Sequence, residues 1–501
     1  MANIVDPAWR HATIDPDRIA LRTPGEELSY GELIRRAASF GGMLRELAVG
    51  SGDRIVLIAP TRPEFVIAYL GAQLAGVVVV TVNTMATRHE IDWVIVDSDA
   101  SLIVDWHVGT AGAAAAAFRG IRRVRLEPGA ITDSEHPLLE PISRSVDDTA
   151  VLLYTSGTTG KPKGVELTIA NLAHTANVYA EQLGLGSADR LGTGLPLFHV
   201  YGQVVALLTA LNLGCSFSLL SPFTPVAMLE LIRDHELTVV AGVPTMWHAM
   251  LRADSDIGAA DVCGLRLAAS GGAALPREVA TAFAERFGCT ILEGYGLTES
   301  TGAATYLALD RDYPEGSVGQ ALPGTDIEIR DADGTEVAIG AIGEVFLRGP
   351  SIMKGYWRRP DATAAELPGG WLRTGDLGFL DFDGYLFIVD RLKELIIRGG
   401  YNVYPREVEE VLHRHPGIAE VAVIGIPDPR HGEEVGAAVV LLPGHSPTAE
   451  QIRVWAKERL SAYKVPHRFV FVDALPLGPT GKVLKRAIDW TALTAAGGGE
   501  P

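Results

Sequence analysis

Arg54-Ile-Val-Leu-Ile-Ala59, Pro63-Glu-Phe-Val-Ile-Ala-Tyr-Leu-Gly-Ala-Gln-Leu-Ala75 and Val77-Val-Val-Val-Thr81 follow one another with short gaps. The first is an apolar run of strand length. The second has helix length and opens on a proline, which a helix tolerates in its first turn. The third is β-branched almost throughout. Strand, helix and strand in that order, with both strands apolar on both faces, predict a parallel sheet covered on its two sides. Further along, Thr87–Glu90 has the T-x-x-E spacing of a capping box before the apolar-periodic Ile91–Val96, and Ser101–Val104 reads as the next strand. Ser29–Glu32 is a similar box, opening a helix through Leu47, and Ala111–Ala117 is an alanine-rich helix. The fold class expected is α/β.

Gly-Pro and Asp-Gly punctuation becomes dense between Pro314 and Gly384, around short strands such as Asp326–Arg330 and Gly343–Arg348, predicting a more antiparallel β subregion. Beyond Asp390 the texture changes again. Arg406–His413 and Ala449–Leu460 read as helices, and Val421–Ile426 and Ala437–Leu442 as strands. The expectation is a large N-terminal domain, 1–390, of parallel-rich sheets covered by helices, and a small α+β domain, 391–501. The tail Ala495–Pro501 (AAGGGEP) is expected to be disordered.

Among 501 residues, 43 are Lys or Arg against 61 Asp or Glu, a net charge of −18, which argues against a nucleic-acid binder because phosphate backbones need clustered cations. A hydrophobic share of 47% excludes a mainly disordered chain. Cys215, Cys263 and Cys289 are odd in number, far apart and without a C-x-x-C pair, so neither a disulfide framework nor a zinc site is expected. The first residues show no basic region leading into an apolar stretch, so no signal peptide is expected. The uncharged runs Phe65–Ala86 and His199–Leu220 could span a bilayer by length. Their glycines and polar residues read better as a buried helix followed by a buried strand. A cytoplasmic protein without a transmembrane segment is expected.

The strongest chemical feature is Leu152-Leu-Tyr-Thr-Ser-Gly-Thr-Thr-Gly-Lys-Pro-Lys-Gly164. A strand, Ala150–Tyr154, runs into hydroxyls and glycines, then two lysines, with a helix from Thr168. Glycines let successive backbone N–H groups turn inward and lysines supply charge, a combination suited to a polyphosphate. It is not a Walker-A loop, because Gly157 is only three residues before Gly160 and Pro162 follows Lys161. A solvated hairpin loop would have the same composition.

Thr155–Gly164 resembles the phosphate loop of the adenylate-forming superfamily, which includes acyl-CoA synthetases, aryl-CoA ligases, firefly luciferase and nonribosomal peptide adenylation domains. Six further segments resemble that superfamily in its own order: Gly271–Ala274, Gly294–Ser300, Trp371–Asp376, Asp390–Glu394, Gly399–Pro405 and Pro479–Lys482. Together they cover essentially the whole chain. The resemblance implies ATP with Mg2+ as cofactors, and an acid joined first to AMP and then to a thiol. It implies that Thr155, Ser156, Gly157, Thr158, Thr159, Gly160, Lys161 and Lys163 hold the β- and γ-phosphates, with Glu299 on magnesium and Thr298 on the α-phosphate. Tyr295 would stack on adenine, beside the backbone of Gly272, Ala273 and Ala274 and the strand residues Glu293, Gly294 and Gly296. Asp376 would accept both ribose hydroxyls, and Arg391 would add a ribose or phosphate contact or form an interdomain salt bridge.

Lys482 would neutralise charge during adenylation. The smaller domain would then turn about Lys393 to present Gly399, Gly400 and Tyr401 to pantetheine; a plain turn is the competing reading of the two glycines. His199, Tyr201, Gly302 and Ala303 fall where relatives line the acyl site, and a core histidine is an equal reading of His199. Phe198–Tyr201 offers no carboxylate for an amino acid's ammonium. Asn212-Leu213 and Gly294 stand where malonate-activating relatives place arginines. With Ala304 also small and Gln203–Leu211 mostly apolar, a medium or long fatty acid is expected, with an aryl or cinnamic acid as the alternative. CoA is the expected acceptor, an acyl carrier protein the alternative. The oligomeric state is not readable. A non-catalytic nucleotide-binding module is argued against by the retention of Lys482, Glu299 and the loop glycines.

Overall fold

The strand, helix and strand of the opening segment form at Arg54–Ile58, Pro63–Leu74 and Val78–Thr81. Every residue from Pro63 to Leu74 is buried. A helix enclosed on all sides needs no polar face, which is why this one shows length and apolarity without a clear period. The computed structural model describes residues 2–108, 110–129, 131, 134–155, 162–309, 312–478 and 483–488. Ser156–Lys161, Lys482 and the Ala495–Pro501 tail therefore lie outside the described residues. The chain divides into a larger unit, Met1–Ile327 with Leu347–Leu372, and a smaller one, Glu328–Phe346 with Arg373–Pro501.

Two large sheets organise the larger unit. Among the described residues one has seven strands, in the order Gly355–Tyr356, Lys163–Thr168, Thr149–Thr155, Val78–Thr81, Arg54–Ile58, Leu102–Trp106 and Arg122–Leu126. Its pairs are parallel from Thr149–Thr155 to Arg122–Leu126. They turn antiparallel at Thr149–Thr155 with Lys163–Thr168 and at Gly355–Tyr356 with Lys163–Thr168. The other sheet has nine strands among the described residues, with Leu267–Ser270 lying between Val239–Gly242 and Ile291–Tyr295 in parallel register. Of the two capping boxes expected on the helices over these strands, one forms in full and the other in half. Thr87 and Glu90 complete a reciprocal capping box at Arg88–Ser98, and Ser29 accepts the Glu32 N–H at the start of Tyr30–Glu46.

Two local outcomes go beyond the sequence pattern. Lys163–Thr168, which precedes the helix Ile169–Gln182, is itself a strand, so the glycine-rich segment joins the two arms of a hairpin. The run His199–Leu220 becomes a π-helix, Tyr201–Leu208, a short α-helix, Thr209–Leu213, and the strand Ser216–Leu219. Among the described residues no helix is long and apolar enough to cross a membrane.

The smaller unit holds an antiparallel pair, formed by Asp376–Leu380 of the strand Leu372–Leu380 with Leu386–Arg391. It also holds a sheet built on the long antiparallel strands Ile418–Asp428 and Gly432–Leu441. Helices Pro405–His413 and Ala449–Lys457 cover that sheet through Val408, Leu412, Ile452 and Ala456, which pack with Val423, Val435 and Val439 in one core. Its layered α+β form follows from this division of apolar faces.

Candidate active site

In the larger unit the ends of several strands converge on a small polar group. Thr155 closes the strand Thr149–Thr155 and stands opposite Lys163 in the hairpin register. Glu299 lies on the 3-10 turn Thr298–Ser300, just beyond the strand Ile291–Tyr295. Its Oε1 accepts from the Thr155 hydroxyl at 3.4 Å and from the Tyr356 hydroxyl at 3.1 Å. The Lys163 ammonium sits 4.3 Å from the centroid of the Tyr356 ring. Burial, and after it the Glu299 charge, push the Tyr356 hydroxyl above its ordinary range, so it remains a donor at neutral pH.

The sequence pattern gave no sign of Tyr356. It stands in a short strand, Gly355–Tyr356, against Val165 of the hairpin. Its segment is tied along its length. Asn171 donates to the carbonyls of Pro350 and Ile352, Thr301 donates to Ser351, the Met353 N–H reaches the Glu299 carbonyl, and the Trp357 N–H reaches Gly164. The helix Arg88–Ser98 fixes the hairpin from the other side. Trp93 donates to the Pro162 carbonyl, and Asp97 accepts from Tyr154 at 2.8 Å and from Arg359.

A divalent cation fits this group. Mg2+ is commonly held by one or two carboxylates with phosphate oxygens and water completing its shell. Among the described residues no cluster of three or more His, Cys, Asp or Glu could hold a metal by itself. Glu299, oriented by two hydroxyls and flanked by a lysine, suits a cation that arrives with a polyphosphate.

Gly272 has a φ of +81° in the loop after Leu267–Ser270, and the Glu293 carboxylate accepts the Leu275 N–H at 3.1 Å, bracing that loop. Ala273 and Ala274 are exposed, whereas Tyr295 is half-buried at the end of its strand. Gly296 and Gly302 are in close approach: a Cβ on Gly296 would lie 2.6 Å from the Gly302 carbonyl carbon.

The expected acyl residues meet from two directions. Gly302 approaches Val200 and Val205, on and just before the π-helix, and Ala303 is buried next to it. His199 is half-buried, and its Nδ1 accepts the Tyr201 N–H at 3.3 Å, which places the proton of the neutral ring on Nε2. Tyr201 is buried with its hydroxyl on the Ala269 carbonyl at 2.7 Å. Tyr306 is buried as well, edge-on to Tyr179 at 5.1 Å, with its hydroxyl on the Ser270 carbonyl. These rings pack behind Gly271 and Gly294. The Cys215 and Cys289 thiols are buried and pushed up to about 12, which leaves them poor nucleophiles.

In the smaller unit Asp376 is buried and paired with Arg391 across an antiparallel register, Oδ1 to Nε at 2.8 Å. Lys393 is exposed on the turn Leu392–Glu394. Gly399 and Gly400 have φ of +58° and +84° and join Ile396–Arg398 to Tyr401–Val403 as a two-residue hairpin turn. Such a turn favours glycine at both central positions, so local geometry alone accounts for the pair. Tyr401 is exposed and lies against the Tyr463 ring. The segment on either side of Lys482 is fastened by an antiparallel bridge, Leu477 to Val483, and by Lys485, which pairs with Glu409 at 2.8 Å and Glu394 at 3.2 Å. Burial opposes the charged lysine, but the two carboxylates outweigh it and the Lys485 ammonium is held above its usual range.

Residues 8–357 match the AMP-binding enzyme family, and residues 407–482 match the AMP-binding enzyme C-terminal domain. The chain is 39% identical over 482 residues to a feruloyl-CoA synthase of Amycolatopsis sp, covering 95% of this chain and 96% of that protein. It is 34% identical to a long-chain-fatty-acid–CoA ligase of Bacillus subtilis (strain 168), covering 94% and 91%. ATP-bound MatB from Rhodopseudomonas palustris has a similar structure, with a TM-score of 0.91 at 33% identity over 99% of each chain.

Proposed function

This chain belongs to the AMP-binding enzyme family and is an AMP-forming acid–thiol ligase, and on that premise we propose that its acid is uncharged beyond the reacting carboxylate and that CoA is its thiol. A carboxylate is a poor electrophile because oxide is a poor leaving group. Its attack on the α-phosphorus of ATP expels pyrophosphate and leaves an acyl-adenylate, from which AMP departs readily. The thiol then displaces AMP and forms the thioester. No covalent enzyme intermediate is required, and catalysis rests on positioning and charge stabilisation.

Thr155, Lys163 and Glu299 carry this reading, because a cation, a carboxylate and a hydroxyl stand together at the root of the glycine-rich hairpin. In the proposed division of labour, the hairpin with Ser156–Lys161 holds the β- and γ-phosphates, and Thr298 contacts the α-phosphate. Glu299 holds Mg2+, which would neutralise phosphate charge when bound. Tyr295 with Gly272–Ala274 and Glu293–Gly296 receives adenine, and Asp376 with Arg391 receives ribose. Lys482 serves adenylation, Gly399–Tyr401 serve the thiol step, and residues 391–501 turn about Lys393 between the two.

A medium or long fatty acid is the first reading of the substrate. It is supported by the apolar surroundings of Gly302 and Ala303 and by the fatty-acid ligase relative. A second reading, an aryl or cinnamic acid, is favoured by the buried Tyr201 and Tyr306 rings behind Gly271 and Gly294 and by the feruloyl-CoA synthase relative. Acid-dependent exchange of pyrophosphate into ATP, followed by thioester formation, tests both. Fatty, cinnamic, benzoic and dicarboxylic acids would be offered with CoA and, in parallel, with a carrier protein. Exchange with a fatty acid supports the first reading, and exchange confined to aromatic acids selects the second. Preference for a dicarboxylic acid refutes the uncharged tail, and transfer only to the carrier protein refutes CoA.

A further inference from the structure

Tyr356 is not among the residues that the sequence singled out, yet it touches two that were. Its hydroxyl lies 3.1 Å from Glu299 Oε1, and its ring lies under the Lys163 ammonium at 4.3 Å. It is 4% exposed, and Glu299 and Lys163 are both half-buried. We propose that Tyr356 is a positioning residue for nucleotide-bound magnesium. It fixes which oxygen of Glu299 faces the cation and seats Lys163 beside it.

The geometry supplies the reason. Both hydroxyls, from Thr155 and Tyr356, address the same oxygen of Glu299. An oxygen that already accepts two hydrogen bonds is a weak ligand, which assigns Oε2 to the cation. The Tyr356 backbone cannot drift, because its N–H donates to the Thr363 hydroxyl at 2.9 Å and its strand is paired with Val165. The Met353 N–H holds the Glu299 carbonyl at 2.8 Å, so one chain segment secures both the main chain and the side chain of Glu299. A cation–π contact also places Lys163 without consuming a carboxylate, leaving its charge for phosphate.

The proposal rests on the reading that the chain binds ATP with Mg2+. Its test is the binding of a nonhydrolysable ATP analogue to the full-length protein, measured by calorimetry across a magnesium series and in chelator. Tyr356→Phe retains the ring and removes the hydroxyl. The magnesium concentration for half-maximal enhancement of binding is expected to rise about tenfold, with affinity in chelator unchanged. In a Glu299→Gln background the same substitution is expected to add no further shift, since the carboxylate it orients is gone. Tyr356→Leu also removes the ring, and affinity in chelator is expected to fall about threefold or more. An unchanged magnesium dependence in Tyr356→Phe overturns the proposal. So does an equal loss with and without magnesium, which would mean a packing role alone. Failure of the wild-type protein to bind the analogue would instead undo the functional reading on which this one rests. Should Tyr356→Leu fail to fold, the phenylalanine variant and its double-mutant cycle still decide the matter.

Discussion

Gly294 shows how a single missing Cβ shapes the molecule. A methyl group there would lie 2.1 Å from Tyr306 Cδ2 and 2.9 Å from the Thr305 carbonyl oxygen, far inside contact distance. The strand Ile291–Tyr295 therefore packs directly on a buried tyrosine, which also neighbours Tyr201. Gly294→Ala forces the ring aside, and overpacking of this kind costs about 1–3 kcal/mol. A lower urea midpoint is expected, together with a rise in KM for the acid that exceeds any rise for ATP. An unchanged midpoint would show that Tyr306 yields freely. Tyr356 is the complementary case, a side chain whose effect comes from a specific hydroxyl and a specific face.

Among the elements, the hairpin Ile396–Val403 separates a conformational need from a ligand's need. Both turn glycines have positive φ, and a Cβ on Gly400 would meet nothing within 4 Å. Asparagine tolerates that backbone better than most residues. Gly400→Asn is thus expected to keep the fold and pyrophosphate exchange while slowing thioester formation about tenfold or more, if pantetheine passes there. Equal thioester rates in both proteins, measured from supplied acyl-adenylate, would leave the turn as the whole explanation.

Much at this scale was legible beforehand. Asp326–Arg330 and Gly343–Arg348 form strands with the expected ends, and the Thr87–Glu90 box is present. These follow from local rules of period and capping. The strand Lys163–Thr168 was missed because its lysine, glycine and proline surroundings resemble loop composition, and only pairing with Thr149–Thr155 makes it a strand. The π-helix at Tyr201–Leu208 was hidden by uniform burial, which erases the period that would distinguish it. Tyr356 was illegible for a related reason. It stands far from Glu299 in sequence, in a stretch of turn-like composition, and tertiary pairing alone gives it meaning. Where the candidate residues were adjacent in sequence, as in Gly294–Ser300, the motif announced them together.

For the molecule as a whole, the proposed division of the chemistry turns on Lys482, whose described neighbours are Leu477, Val483 and Lys485. Lys485 is tied to Glu394, next to Lys393, and to Glu409 on the helix Pro405–His413. In the proposed turn about Lys393, Val483 and Lys485 would move with residues 391–501. Lys482→Ala is accordingly expected to slow acid-dependent pyrophosphate exchange by at least about a hundredfold, the scale of losing one charge-stabilising group. Thioester formation from supplied acyl-adenylate should be largely spared, and equal loss in both steps would refute the division. The cysteines offer a direct way to watch such a turn. Cys215 and Cys289 are enclosed, whereas Cys263 faces solvent on the larger unit. A maleimide donor dye would therefore attach at one position of the unaltered protein, and an acceptor placed on an introduced cysteine in 391–501 would turn interdomain travel into a change of energy transfer.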